Sequence, residues 1–281
     1  MALTASHRLT TVDRLLLGYL AITGVVALAR VPDRPTAAWV LGANLLIALL
    51  ILLLAHQQAA ETARRLRDWY PVLLLPALYG SLDLLNGLGN VRVWDTEILV
   101  IERWLFGGEP ARDWWQRHPS RFWSTTLHGA YWSYYLILPF PIVWFALARR
   151  REALRRTVLA LTVTFLACYL VFLFLPVAGP YYQYPRPSAG FLDNPMARLV
   201  YGTLATGSSY GAAFPSSHVA ATIVAAVTAW QGDRRAGTIL ALPTILLVVG
   251  VVYCQMHYAV DAVAGILVAA VVLVAVRKSG P

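Results

Sequence analysis

The sequence predicts an all-α, polytopic transmembrane helix bundle of about eight spans, with amphipathic interfacial helices on the outer face. Three observations predict it. The 281-residue chain is 58% hydrophobic and 13% charged, whereas average globular chains are roughly 45–50% apolar and about 25% charged. Apolar runs of about 20 residues, the length that crosses a bilayer, recur from Leu15 to the C-terminus. The charges gather in short segments between those runs.

Taken in order, the runs predict spans at 13–31, 37–55, 69–88, 123–147, 157–177, 214–230, 236–254 and 257–276. The first has Ala27-Leu28-Ala29, which resembles a signal-peptidase site, but it reads as an uncleaved anchor. There is no internal repeat and no long linker, so 1–281 reads as one integral-membrane domain. Within it, 1–90 holds the N-terminal spans, 91–122 an interfacial segment and 123–281 a catalytic helical core.

The interfacial segment is inferred from Trp94, Trp104, Trp114, Trp115 and Trp123, with Trp132 close by, interleaved with Asp95, Glu97, Glu102, Arg103, Arg112, Asp113 and Arg117. Indole prefers the headgroup layer. Gly107-Gly108-Glu109-Pro110 breaks the segment into two short helices. It serves either as a structural belt or as a collar that guides a lipid inward.

The net charge of +9 is not that of a nucleic-acid binder, because the bases sit in loops between spans. With the N-terminus inside, 14 of the 23 bases fall on the inner face in short loops. These are Arg8, Arg14, Arg64, Arg65, Arg67, Arg149, Arg150, Arg151, Arg155, Arg156, Arg234, Arg235, Arg277 and Lys278. The positive-inside bias then makes both termini cytoplasmic and turns the long loops outward. Cys168 and Cys254 differ in depth and read as buried thiols.

Three outward clusters carry chemistry: Gly179-Pro180-Tyr181-Tyr182-Gln183-Tyr184-Pro185-Arg186-Pro187, then Phe214-Pro215-Ser216-Ser217-His218, then His257-Tyr258-Ala259-Val260-Asp261. His257 and Asp261 are spaced i, i+4 and share a helix face. A carboxylate there holds the imidazole in one tautomer and steadies its positive charge after nucleophilic attack. Pro215 suits a first helical turn. Ser216 and Ser217 can bond that turn's free N–H groups or a ligand, and His218 stands where it can protonate a departing alkoxide. The bland alternatives are a helix-start ion pair and an ordinary N-cap. Against them stands the predicted topology, which sets both histidines at one depth, on two helix N-termini whose joint positive potential suits a phosphate. His128, among aromatic residues, reads as packing.

These residues resemble the signatures of the type 2 phosphatidic acid phosphatase superfamily. Pro215-Ser216-Ser217-His218 is similar to its P-S-G-H motif, and His257 with Asp261 to the end of S-R-x-x-x-x-x-H-x-x-x-D. The F-P-S-x-H, H-Y-x-x-D and G-P-Y-Y forms look like the inositol phosphorylceramide synthase branch. The resemblance is strong over about 180–265. It implies a metal-independent double displacement in which His257 becomes a phosphohistidine, Asp261 orients it, His218 protonates the leaving group, and Ser216 and Ser217 line the phosphate site.

Two departures stand out. The first motif, K-x-x-x-x-x-x-R-P, ends at Arg186-Pro187 but has Gly179 in place of Lys, and Gly250-Val251 replace the Ser-Arg of the third. Arg186 is then the first candidate for the phosphate-binding cation, with Arg103, Arg92 and Arg198 as alternatives. Tyr181 and Tyr182 are further substrate-binding candidates. The expected substrate is a membrane lipid phosphate, with inositol or another alcohol as acceptor and neither metal nor cofactor. The alternatives are a phosphatase releasing phosphate to water and, more distantly, a lipid transporter, although polar residues at one face and no repeat symmetry argue against transport.

Overall fold

Thr10 opens the first helix by a reciprocal cap: its hydroxyl accepts from Asp13 N and the Asp13 carboxylate accepts from Thr10 N. The structure, a computed structural model, describes residues 9–56, 61–87 and 89–279. Among them regular structure is entirely helical apart from one isolated bridge between Val177 and Ala212. The helices fall into two compact units, Met1–Asn90 and Val91–Pro281.

The first unit holds α1 (Thr11–Arg30), α2 (Ala37–His56) and α3 (Glu61–Leu85). Most of α2 is apolar on every side. Leu45, Leu46, Leu49 and Leu52 are all exposed, which suits a helix facing hydrocarbon rather than water. Several buried polar groups inside this unit are paired. Asp13, only 1% exposed, receives Arg67 and the Tyr70 hydroxyl, and Asn44 donates to Leu20 O and Thr23 Oγ1. Arg30 and Arg34 both donate to Leu85 O at the end of α3, satisfying a carbonyl that a helix C-terminus leaves open.

The second unit begins with α4 (Asp95–Phe106) and α5 (Pro110–Arg117), divided at Gly107, whose φ of +68° ends α4 in the left-handed region. There follow α6 (Arg121–Trp132), α7 (Tyr134–Ile137), α8 (Pro139–Leu147) and α9 (Arg151–Phe174). Three short helices, α10 (Pro180–Gln183), α11 (Ala189–Leu192) and α12 (Pro195–Gly207), lead to α13 (Ser217–Gly232), α14 (Arg234–Tyr253) and α15 (Ala259–Ser279). α13 is the hub, packing on α9, α14 and α15. Glycines permit the closest approaches, as in membrane helix interfaces generally. A Cβ on Gly237 would stand 2.5 Å from Trp230 Cα, on Gly250 2.9 Å from Leu127 O, and on Gly265 2.6 Å from Ser216 O.

Five described helices are long and apolar enough to cross a bilayer: α1, α2, α9, α14 and α15. The run at 123–147 makes a sixth only as a pair bent by 42°, because Pro139 and Pro141 interrupt it. The expected spans at 69–88 and 214–230 are helical too, but differ from simple spans. α3 extends back to Glu61 through a charged turn and contains Pro71 and Pro76. α13 has 16 residues, about 24 Å at about 1.5 Å per residue, because its cap starts it only at Ser217 and Asp233 ends it. The chain is an integral-membrane helical protein, and five or six of its described spans meet that test of length and apolarity.

Candidate active site

Two loops set the site. After α9, Val177 N donates to Gly211 O and Ala213 N to Val177 O, which ties the segment before α13 to the segment after α9. At the end of α14 the chain reverses through Gln255, whose φ is +61°. Both Met256 N and His257 N then donate to Val251 O. This returns His257 to the start of α15. The two helix starts are joined directly, since Ser216 N donates to Asp261 O at 3.0 Å.

The rings of His218 and His257 consequently meet, with centroids 5.5 Å apart at 57°. His257 is 4% exposed and Asp261 fully buried. His257 Nδ1 lies 3.4 Å from Asp261 Oδ2, close enough for an ion pair but not aligned as a hydrogen bond. His257 Nδ1, Asp261 Oδ1 and His218 Nδ1 are all buried without a hydrogen-bond partner. Buried polar atoms are almost always satisfied, so three unsatisfied ones in one place mark a site held ready for something else. Long hydrogen bonds that tighten on binding are common in empty active sites.

Two tyrosine rings also hold His218. Tyr131 stacks on it at 4.8 Å and 23°, Tyr134 packs at 4.3 Å, and the Tyr131 hydroxyl lies 3.3 Å from His218 Nε2. Ser216 caps α13 by accepting from Val219 N at 3.3 Å, so its hydroxyl is committed to the helix. Ser217 is 6% exposed. The backbone N–H groups of Ser217 and His218 donate to no described residue.

The start of α15 differs from the expectation that both helix ends face a phosphate. Three of its N–H groups are already taken by carboxylates. Glu102 of α4 accepts from Ala259 N at 3.0 Å and Val260 N at 2.8 Å, and Asp261 Oδ2 accepts from Tyr258 N at 2.9 Å. The first two N–H groups of α13, by contrast, have no such partner among the described residues. Glu102 itself is fully buried. Burial pushes its carboxyl above the ordinary value, and the N–H groups of Val260 and Ala259 oppose that rise. About two turns earlier on the same helix, Asp95 accepts from Ala178 N, Gly179 N and the Tyr258 hydroxyl. Thus two acids expected among the headgroups point inward, as do Trp115, which donates to Gln255 Oε1 at 2.9 Å, and Trp94, packed against the buried cluster of Ile98, Val177, Ala213, Tyr258 and Val260. Trp104 is 81% exposed.

The missing lysine has a steric reason. Gly179 has φ +87°, and a Cβ there would lie 2.7 Å from Ala213 Cβ, so no side chain fits. Among the four cation candidates, Arg92 pairs with Glu97, Arg103 with Glu109 and Arg198 with Asp193. Arg186 instead lies over the Tyr201 ring at 5.4 Å and has no carboxylate partner among the described residues. Tyr181 packs on the same Tyr201, whereas Tyr182 turns away to Ser208 and Tyr210. The structure therefore gathers His218, His257, Asp261, Ser216 and Ser217 at the joined helix starts, and Arg186 with Tyr181 around Tyr201. Sequence reasoning missed Asp95, Glu102, Gln255 and Tyr131 as contacts of the site, because their partners are far away along the chain. It also missed that His128 Nδ1 lies 3.4 Å from Cys254 Sγ. Among the described residues no group of three or more His, Cys, Asp or Glu side chains is placed to hold a metal ion.

Fold and site together define an integral-membrane protein with a paired-histidine centre at the joined starts of two helices. The PAP2 superfamily model matches residues 96–275, and the chain belongs to that superfamily. It is thereby an enzyme of the lipid phosphatase or phosphotransferase type. No curated protein and no solved structure matches it.

Proposed function

We propose that this protein transfers a phosphoryl or phospho-headgroup unit from a membrane lipid to an alcohol acceptor through a phosphohistidine at His257, as an inositol phosphorylceramide synthase-like enzyme would. His257 attacks phosphorus, the P–O bond to the lipid alcohol breaks, and His218 gives that alkoxide its proton. In the second step an acceptor hydroxyl attacks the phosphorus, a new P–O bond forms as the P–N bond breaks, His218 takes the hydroxyl proton, and His257 is released. Water in the acceptor's place makes the same site a phosphatase. No metal ion enters either step.

The observation that carries this reading is the meeting of His218 and His257 at 5.5 Å, with the Nδ1 atom of each buried and unpartnered. Asp261, 3.4 Å from His257 Nδ1, is the natural partner for the imidazolium that attack creates. The phosphate oxygens are assigned to Ser217, to the free N–H groups of Ser217 and His218, and to Arg186, which has no carboxylate to satisfy. Charge on a transferring phosphoryl group needs such donors in place beforehand. The distribution of arginines supports cytoplasmic termini and an extracytoplasmic site, with α4 and α5 in the headgroup layer.

The test is an acid-labile phosphoenzyme trap with radiolabelled lipid phosphate. The parent chain is expected to retain label and His257→Ala to retain none. Equal labelling of both would overturn the nucleophile assignment. Product analysis with and without an added polyol or lipid alcohol separates the acceptors, and free phosphate as sole product in every case would reject the transferase form.

A further inference from the structure

α4 presents two faces. Val100, Ile101, Trp104, Leu105 and Phe106 are exposed, while Ile98 and the carboxylates Asp95 and Glu102 are buried. Asp95 and Glu102 are seven residues apart, two helical turns, and so share one side. Together they hold both segments that frame the nucleophile. Asp95 fixes Ala178, Gly179 and the Tyr258 hydroxyl. Glu102 takes both of the first N–H groups of α15, in the stretch between His257 and Asp261.

A buried carboxylate is an expensive way to cap a helix, since desolvation opposes its charge. Serine or threonine at the N-cap does the same at an exposed end. Glu102 reaches in from another helix across 157 and 158 residues of sequence, and both of its oxygens are used. We infer that Glu102 and Asp95 are positioning residues: α4 sets the turn that carries His257 and Asp261, and holds their mutual geometry. By filling the first two donors of α15, Glu102 also directs phosphate binding toward the α13 end. His257 and Asp261 stand 3.4 Å apart without alignment, so a small displacement of this turn decides whether the pair forms.

The kinetic arm of the test rests on the phosphohistidine reading; the spectroscopic arm does not. Glu102→Gln keeps the shape but turns an amide NH₂ toward one of the two backbone donors. Turnover of radiolabelled phosphatidic acid by the full chain in mixed micelles is expected to fall about 10- to 100-fold in kcat, the usual span for a lost supporting contact. KM should stay within about threefold, since binding of the substrate is not touched. Glu97→Gln, on the exposed side of the same helix, should leave kcat unchanged. In parallel, the nitrogen resonances of the His257 ring, assigned by their loss in His257→Ala, are expected to move in Glu102→Gln and to stay in Glu97→Gln.

Unmoved His257 resonances in Glu102→Gln overturn the inference, whether or not kcat falls, because a fall alone marks a merely structural residue. Should the parent turn over no lipid phosphate while the resonances move, the functional reading falls and the positioning role stands. If Glu102→Gln does not fold, Tyr258→Phe deletes only the hydroxyl that Asp95 holds and is read by the same two measurements.

Discussion

The ring of Tyr131 lies against that of His218 at 4.8 Å and 23°, and its hydroxyl reaches His218 Nε2 at 3.3 Å. The proposed acid is thus packed between the Tyr131 and Tyr134 rings and the His257 ring it meets. The arrangement gives the two histidines separable roles, which kinetics can resolve.

If His218 protonates the leaving alkoxide, its removal should matter only where the leaving group needs a proton. His218→Ala is expected to cost about 10²- to 10⁴-fold with a lipid phosphate ester, the usual worth of a placed general acid. With p-nitrophenyl phosphate, whose phenolate departs unaided, the loss in the first step should be far smaller. His257→Ala should be inactive on both. Equal losses in the first-step rate on the two substrates in His218→Ala would remove the acid role.

The approach of α13 to α15 sets the distance between the rings, and Gly265 sets that approach. A Cβ there would be 2.6 Å from Ser216 O and 3.1 Å from Val219 Cβ. Gly265→Ala should destabilise the protein by about 1–3 kcal/mol, as overpacking does, and depress activity by separating the histidines. Gly202→Ala, with nothing within 4 Å of the added carbon, should leave both unchanged. Thermal unfolding in detergent and turnover measured together check the pair of variants.

Much of this was legible in the sequence. Apolar run length marks helices, Gly107-Gly108 marks the break between α4 and α5, and His218, His257 and Asp261 announce themselves by local spacing at helix starts. What was not legible is tertiary. Nothing near Glu102 says that its partners are Ala259 and Val260, so it read as an acid for the headgroup layer, and α15 read as a free anion site. Trp115 likewise read as belt, although Gln255 draws it inward. Hydropathy sees an apolar run but not the prolines and caps that shorten or bend the helix, so the runs at 123–147 and 214–230 are not single long helices, as Pro139 and Ser216 show.

Arg186 should carry the phosphate charge that the absent lysine would have met. Arg186→Ala is expected to lower kcat/KM by about tenfold or more, on the scale of one charge-assisted contact of about 1.5–3 kcal/mol. Arg92→Ala should change it little, because Arg92 is already paired with Glu97 at the surface. Steady-state kinetics on lipid phosphate decides; identical behaviour of the two variants would send the search for the cation elsewhere.

Asp261 has two duties that one substitution can separate. Its Oδ2 accepts from Tyr258 N and its backbone oxygen from Ser216 N, contacts that shape the site. The same Oδ2 faces His257 Nδ1 at 3.4 Å. In Asp261→Asn the amide oxygen can still accept from Tyr258 N and the backbone contact is untouched, so the fold should persist. The negative charge that would steady a cationic His257 is gone. Turnover should then fall about 10²- to 10⁴-fold, comparable with the loss of an orienting carboxylate from a histidine pair, while the melting temperature shifts by only a few degrees, as for a change near 1 kcal/mol. Full activity in Asp261→Asn would show that His257 needs no carboxylate, and collapse of the fold would show that the capping duty dominates.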